Sequence, residues 1–440
     1  MKLRIFISFA CFFLFLTPNQ ARTFFVAVNG NDSNSGEKNS PFATIMQAQK
    51  QVEPGDTVYI RGGKYLMNES QIARKQRIWA MMHLLNKSGK EGSRINYWAY
   101  GNEKPVFDMT DVKPLNQRVM VFNIAGSWIH LKGLEVVGTQ VTILGHTQSE
   151  CFHNEGSHNI YEQLSMHDGQ AIGFYLIKGS DNLILNCDAY RNWDYTSEGG
   201  RGGNADGFGC HPQPGSKGNV FRGCRAWFNS DDGYDCIRAA ETVTFDHCWA
   251  FYNGYDTNFK NLGDGNGFKA GGWGLEKDDR VPDSIPMHVI QFCMAVRNRA
   301  NGFYSNHQPG GSYWYNNTAY LNGTNFNMLN RTADITADVP GYNHVLKNNL
   351  SFAPRTYDTQ WIDSAKCEVA FNSFNMPHKI SKTEFVSIDQ SLLVSPRSAD
   401  GNLPNIDFLR LKSNSRLIDK GVSVGFPYKG KAPDIGAFEY

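Results

Sequence analysis

The middle of the chain repeats itself. Segments of the form apolar-x-apolar-x-x-(Cys/Leu/Asn)-x-(Ala/Ser/Val) occur at IHLKGLEV, NIYEQLSM, LILNCDA, NVFRGCRA, VTFDHCWA, VIQFCMA, YWYNNTA and VLKNNLS. Their equivalent residues are Leu134, Leu164, Cys187, Cys224, Cys248, Cys293, Asn317 and Asn349, separated by 30, 23, 37, 24, 45, 24 and 32 positions. The pattern is a base unit of about 23 to 24 residues with insertions of varying length, the signature of a solenoid whose units bury a shared core only by stacking. The units are rich in Val, Ile, Phe, Tyr and Thr and end in Gly or Asn turns, so they are strand-built. The expected fold is all-β, a right-handed parallel β-helix with a helical cap at its N-terminal end and a cap at its C-terminal end.

The same repeat aligns the chemistry. NADGFG, SDDGYDC and GNGFKAGG each carry Asp or Asn, then Gly, then an aromatic residue. Aligned, Asp206, Asp232, Asn266 and Asn301 share one slot, and Gly209, Asp235, Lys269 and Tyr304 share the slot three residues on. Stacked coils lie roughly 4.7 to 4.9 Å apart. Asp206, Asp231, Asp232 and Asp235 therefore form a carboxylate cluster with Lys269 one layer beyond it. So many carboxylate oxygens suit a hard cation such as Ca2+ and not zinc, which prefers nitrogen and sulfur. A single Asp before Gly is an ordinary turn former, but four in register are not. Arg238, His211, Arg201, Arg299, Lys217 and His307 are candidate carboxylate binders or plain surface residues, Asn266 is a further candidate contact, and Trp273 and Tyr304 suit either sugar stacking or core packing.

With 43 Lys and Arg against 42 Asp and Glu, the formal net charge is +1, which leaves no global basic field for nucleic acid; an anionic ligand must be met locally. Lys2 and Arg4 precede an apolar run from Ile5 to Leu16 that is short for a bilayer span, so residues 1–21 are expected to be a signal peptide and the protein exported, periplasmic or secreted. Eight of the nine cysteines follow that leader. Export invites disulfides, but Cys187, Cys224, Cys248 and Cys293 fall in one inward slot, which favours a packing ladder continued by Asn317 and Asn349.

Residues 22–440 are expected to form one catalytic domain: N-terminal cap and first coils over 22–108, repeat coils with the site over 109–376, and a C-terminal cap over 377–440. In the first part a helix is expected to start at Ser40 and Pro41, with Ile45, Ala48 and Val52 on its apolar face. The basic Gln71 to Arg94 segment, carrying IWAMMHLL, is expected to be a helical insertion or lid.

The sequence resembles polysaccharide lyase family 9, exported right-handed parallel β-helix enzymes that cleave pectic polysaccharides. The resemblance rests on SPFATI, PGDTVYIRGGKY, the repeat, and the NADGFG, SDDGYD and GFKAGG loops. It implies that Asp206, Asp231, Asp232 and Asp235, with the backbone carbonyl of Cys236, ligate calcium, and that Lys269 is the catalytic base. The implied reaction is β-elimination at a 4-linked galacturonate of pectin. The near-neutral charge and aromatic loops favour rhamnogalacturonan I over homogalacturonan as substrate, and the protein is expected to act as a monomer with no membrane span once the leader is removed. Two other classes remain open at this level: a metal-independent hydrolase of polygalacturonase type using Asp231 and Asp232, and a non-catalytic carbohydrate-binding β-helix.

Overall fold

A computed structural model describes residues 20–277 and 279–440; nearly all of the expected leader lies outside the described residues. Short strands stack into three long sheets of twelve, ten and eleven strands. Each coil contributes one strand to each sheet: Leu183–Leu185, Asp188–Tyr190 and Phe208–Cys210 form one turn, and Asn219–Arg222, Arg225–Trp227 and Tyr234–Asp235 form the next. Among the described residues, the strands of the three long sheets pair in parallel from coil to coil, and antiparallel strand pairs occur in two hairpins, Arg74–Gln76 with Trp79–Leu85 and Leu329–Arg331 with Asp338–Pro340. The fold is a right-handed parallel β-helix, as the repeat predicts.

Two turns are built by position-specific chemistry. Between the first and second sheets one residue per coil adopts a left-handed conformation, at Gln163, Asn186, Gly223, His247, Phe292, Asn316 and Asn348. The next residue is the expected ladder slot. Cys187, Cys224, Cys248 and Cys293 are fully buried free thiols. Asn317 and Asn349 extend the slot, Asn317 Nδ2 donating to Asn349 Oδ1 at 3.1 Å.

Five residues after that slot comes a second ladder that the sequence reading did not single out: Asn192, Asn229, Asn253, Asn298 and Asn322. Each donates its Nδ2 to the Oδ1 of the next at 2.9 to 3.1 Å. The exact spacing from Cys187, Cys224, Cys248, Cys293 and Asn317 was the available signal.

The interior beneath the third sheet is an aromatic stack. Phe208 and Tyr234 lie 4.9 Å apart, Tyr234 and Phe268 4.7 Å, and Phe268 and Phe303 5.2 Å, with nearly parallel rings. These are the aromatic residues of the Gly-aromatic motifs. Because successive strand residues point to opposite faces, burying them turns their neighbours Asp235, Lys269 and Tyr304 outward. The preceding glycines allow the coils to approach: a Cβ on Gly233 would meet the carbonyl oxygen of Gly267 at 2.7 Å.

Three expectations change. The Gln71 to Arg94 segment is no helix or lid: Trp79–Leu85 is a strand of the third sheet, paired with Arg118–Ile124, and it buries Ala80, Met82 and Leu85 inward while Met81 and His83 are also covered. A strand buried on both faces lacks alternation and reads like a buried helix. The helix runs Ile45–Gln51 and is capped by Thr44, whose Oγ1 accepts from the Gln47 amide at 3.2 Å. Ser40 does not cap it, because Phe42 pairs with Val26 in an extended segment and Asp32 Oδ1 accepts from the amides of Ala43 and Thr44. The segment from Pro377, expected as a cap on the end of the stack, covers a side of it instead. It runs back along the outer face of the ten-stranded sheet, packing Phe385, Leu393, Phe408, Leu417 and Ile435 against Trp227, Trp249, Phe251, Met294, Tyr320 and Leu350. Arg397 reaches Asp188 at 2.6 Å across that contact.

Candidate active site

The site forms where three coils cross the third sheet. Strand register places Gly209 beside Asp235, Asp235 beside Lys269, and Lys269 beside Tyr304. The loops that enter these strands are anchored by the asparagine ladder: Asn229 immediately precedes Ser230, Asp231 and Asp232.

Backbone amides orient all four carboxylates. Oδ1 of Asp206 accepts from the Asp232 amide at 3.0 Å, Oδ1 of Asp231 from Asp264 at 3.0 Å, Oδ1 of Asp232 from Asn266 at 2.6 Å, and Oδ1 of Asp235 from Ile237 at 2.7 Å. The Asn266 side chain adds a second hydrogen bond to Asp232 Oδ1 at 2.8 Å. One oxygen of each carboxylate is left for other work. Asp206, Asp232 and Asp235 each bring an oxygen within 4.8 Å of the others. Asp231 lies outside that closest group, held by the Asp264 loop.

Lys269 Nζ lies 3.0 Å from both Asp232 Oδ2 and Asp235 Oδ2. It donates to Asp235 but is off the hydrogen-bonding direction of Asp232 Oδ2, which is wholly buried and has no hydrogen-bond partner. Burial pushes the Asp206, Asp231 and Asp232 carboxyls above the usual carboxylate range, and their mutual repulsion adds to it for each. Burial would lower the Lys269 ammonium; the charges of Asp232, Asp235, Asp231 and Asp206 outweigh it and hold the lysine well above its ordinary value. One ammonium does not balance this much buried negative charge. Oxygen-only donors, pre-oriented by backbone amides and carrying more buried negative charge than one ammonium offsets, fit a hard cation such as calcium. Asp206, Asp232 and Asp235 could hold it most directly. The Cys236 carbonyl already accepts from the Ala239 amide at 3.0 Å.

The remaining candidates separate. Arg238 is exposed and paired with Glu276 at 2.6 Å. Trp273 is buried, its Nε1 donating to the Ala239 carbonyl at 2.9 Å. Asn266 sits in the ladder between Asp232 and Asn301, and buried His307 meets Asp338 at 3.3 Å. Arg201 and Arg299 line a cleft beside the Asp264 loop together with Trp193, Glu198 and Lys260. Lys217 is exposed on the loop before Asn219–Arg222. His211 and Tyr304 flank the Asp235 and Lys269 pair on either side. Tyr175, which the sequence reading missed, stacks on His211 with ring centroids 5.0 Å apart; it follows Gly173 and Phe174, the same Gly-aromatic motif one coil earlier, and that motif was the available signal.

Fold and site together define the class, a β-helix polysaccharide lyase. Residues 24–349 match the family model described as the Pel9A-like, right handed beta helix region. The chain is 34% identical over 425 residues to pectate lyase L of Dickeya dadantii (strain 3937), covering 95% of this chain and 90% of that protein. A solved structure of a rhamnogalacturonan lyase superposes with a TM-score of 0.86 at 43% identity, covering 89% of this chain and 97% of that one. The crystal structure of pectate lyase Pel9A superposes with a TM-score of 0.78 at 32% identity, covering 96% and 97%. The chain belongs to polysaccharide lyase family 9, the Pel9A-like β-helix lyases. The hydrolase and the non-catalytic readings fall with that membership.

Proposed function

We propose that the protein is a calcium-dependent lyase that cleaves the rhamnogalacturonan I backbone by β-elimination at 4-linked galacturonate, with Lys269 as the base. The observation that carries this reading is Lys269 Nζ at 3.0 Å from two carboxylates of a buried acidic triad. Bound at Asp206, Asp231, Asp232, Asp235 and the Cys236 carbonyl, calcium would neutralise the uronate carboxylate and the charge that develops beside it. Lys269 Nζ takes the proton from C5. The C5–H electron pair becomes the C4=C5 double bond, the C4–O4 bond breaks, and the departing oxygen is protonated from solvent. Asp235 aims the amine, and the amide-held Asp232 keeps it at the same height. Lys269 can act as a base only as the neutral amine. Its burial favours that form, so the amine becomes available when the charge of the four aspartates is neutralised.

The 43% identity to a rhamnogalacturonan lyase supports the alternating polymer; the 34% identity to pectate lyase L supports homogalacturonan as the second reading. We extend the proposal to export through the 1–21 leader, to one catalytic domain over 22–440, and to action as a monomer. The test is purified protein on each polymer with and without calcium, following the ultraviolet absorbance of the unsaturated uronate. Reducing ends without that absorbance would overturn the elimination.

A further inference from the structure

Each rung of the asparagine ladder opens a loop that leads to the Asp or Asn slot of the third sheet, and these loops differ in length. From Asn229 to Asp232 and from Asn298 to Asn301 the chain takes 3 residues; from Asn192 to Asp206 it takes 14, and from Asn253 to Asn266 it takes 13. Long and short loops therefore alternate from coil to coil. The two long ones stand on either side of the short turn that carries Asp231 and Asp232, separated by two coil spacings, roughly 9 to 10 Å. They meet over it at glycines: a Cβ on Gly263 would meet the carbonyl oxygens of Ser230 and Gly202 at 2.6 and 2.8 Å, and Ser230 Oγ donates to the same Gly202 carbonyl at 2.6 Å. The second long loop also supplies the Asp264 amide that holds Asp231. Outside that contact the long loops border a cleft of about 590 Å³. The acidic cluster and the cleft thus share one scaffold.

The cleft carries cations that the fold does not neutralise. Trp193 gives it an apolar wall, and Arg201, Lys260 and Arg299 line it further. Arg201 and Lys260 are exposed. Arg299 is half-buried and fixed: Nη1 donates to the main-chain carbonyls of Gly263 at 2.9 Å and Asp264 at 3.2 Å, which are neutral acceptors. Among the described residues none of the three cations pairs with a carboxylate, although two acids share the cleft. Glu198 instead accepts from Asn204 Nδ2 at 2.8 Å and meets His146 at 3.4 Å. A guanidinium held in place with N–H groups to spare, beside two mobile cations, is a receptor for a carboxylate. On a chain whose formal net charge is only +1, such a local surplus is what an acidic ligand requires.

We propose that Arg201, Lys260 and Arg299 form a subsite for the carboxylate of a second uronate of the bound polymer, beyond the one at the acidic cluster. This deepens the proposed function and rests on its uronate polymer, but on neither polymer in particular. The subsite makes binding depend on the number of acidic sugars in the chain and leaves the chemistry at Lys269 untouched.

The test uses Arg201→Gln and Lys260→Gln together, because both side chains are exposed, whereas Arg299 also holds the Asp264 loop. Isothermal titration of the Lys269→Ala protein with hexagalacturonate and calcium should show affinity falling about tenfold when the two cations are removed. Raising the ionic strength should weaken the unsubstituted cleft more than the doubly substituted one. The exchange of charge-keeping residues, Arg201→Lys with Lys260→Arg, should restore most of the affinity. The methyl-esterified hexamer, which lacks the charges, should bind both forms equally. In the protein that retains Lys269, the double substitution should raise KM and leave kcat and calcium affinity near wild type. Unchanged affinity and salt dependence, or an equal loss for the esterified hexamer, would overturn the subsite and leave the lyase reading intact. A protein that binds the hexamer through these cations yet eliminates no uronate polymer would overturn the proposed function and leave the subsite standing.

Discussion

Lys269 and Asp235 are neighbours across two adjacent coils, and Nζ donates to Oδ2 at 3.0 Å. The two residues are 34 apart in sequence and are brought together by strand register alone. In this arrangement the amine is guided by a carboxylate that also belongs to the acidic triad, so the proposed base and the candidate cation site meet at Asp235, and replacing Lys269 leaves the carboxylates in place.

Lys269→Ala is expected to leave the fold and calcium affinity near wild type while turnover falls by roughly two to four orders of magnitude, the usual worth of a positioned base. Lys269→Arg should be almost as inactive, since guanidinium does not deprotonate at usable pH. Initial rates under saturating calcium, read as ultraviolet absorbance, check both; an active Lys269→Arg would place the base elsewhere.

Calcium binding should release protons. The Asp206, Asp231 and Asp232 carboxyls lie above their ordinary range in the metal-free fold, chiefly through burial, so as pH falls they take up protons earlier than free carboxyls and must lose them to bind a dication. Affinity should therefore weaken as pH falls. Isothermal titration in buffers of different ionisation enthalpy measures the protons released; a count of zero across the acidic range contradicts the assignment. Asp232→Asn should weaken calcium binding, with partial rescue of activity at high calcium.

Asn253→Ala should destabilise the protein by on the order of 3 kcal/mol, because it leaves buried amide and carbonyl groups of two neighbouring coils unpaired. The loss should reach the site, since the broken rung holds Asn229 at the entry to the Asp231 and Asp232 loop. Denaturant unfolding gives the stability and titration the calcium affinity; a change under about 1 kcal/mol would mean that the ladder is not cooperative.

His153 offers a pH test away from the metal cluster. Burial lowers its pKa, but the charges and hydrogen bonds of Glu150 and Glu155 raise it to about 9. The folded pKa is above the unfolded value of about 6.5. Its stabilisation is therefore complete below that value and is lost as pH rises through the folded pKa, an effect on the order of 3 kcal/mol. His153→Gln should cost more stability at pH about 6 than at pH about 10; equal costs at both would show that the imidazolium is not stabilised in the fold.

The period of about 23 to 24 residues and the strand-forming composition were enough to identify the β-helix, because each coil repeats the same local chemistry in the same order. The alignment of NADGFG, SDDGYDC and GNGFKAGG likewise placed Asp235 beside Lys269 without coordinates, since slots of a stacked repeat become neighbours in space. The cysteine slot was legible for the same reason. What the sequence could not decide lay outside the repeat. Trp79–Leu85 is covered on both faces and so lacks the alternation that marks a strand. The direction of the chain after Pro377 depends on the apolar outer face that Trp227, Trp249 and Tyr320 present to it, and that face exists only once the coils have stacked. The tertiary structure alone decided that Lys269 Nζ reaches Asp232 Oδ2 and Asp235 Oδ2 at once and that Tyr175 leans over Gly209, because both depend on the height and tilt of side chains from different coils, which no single-chain periodicity encodes.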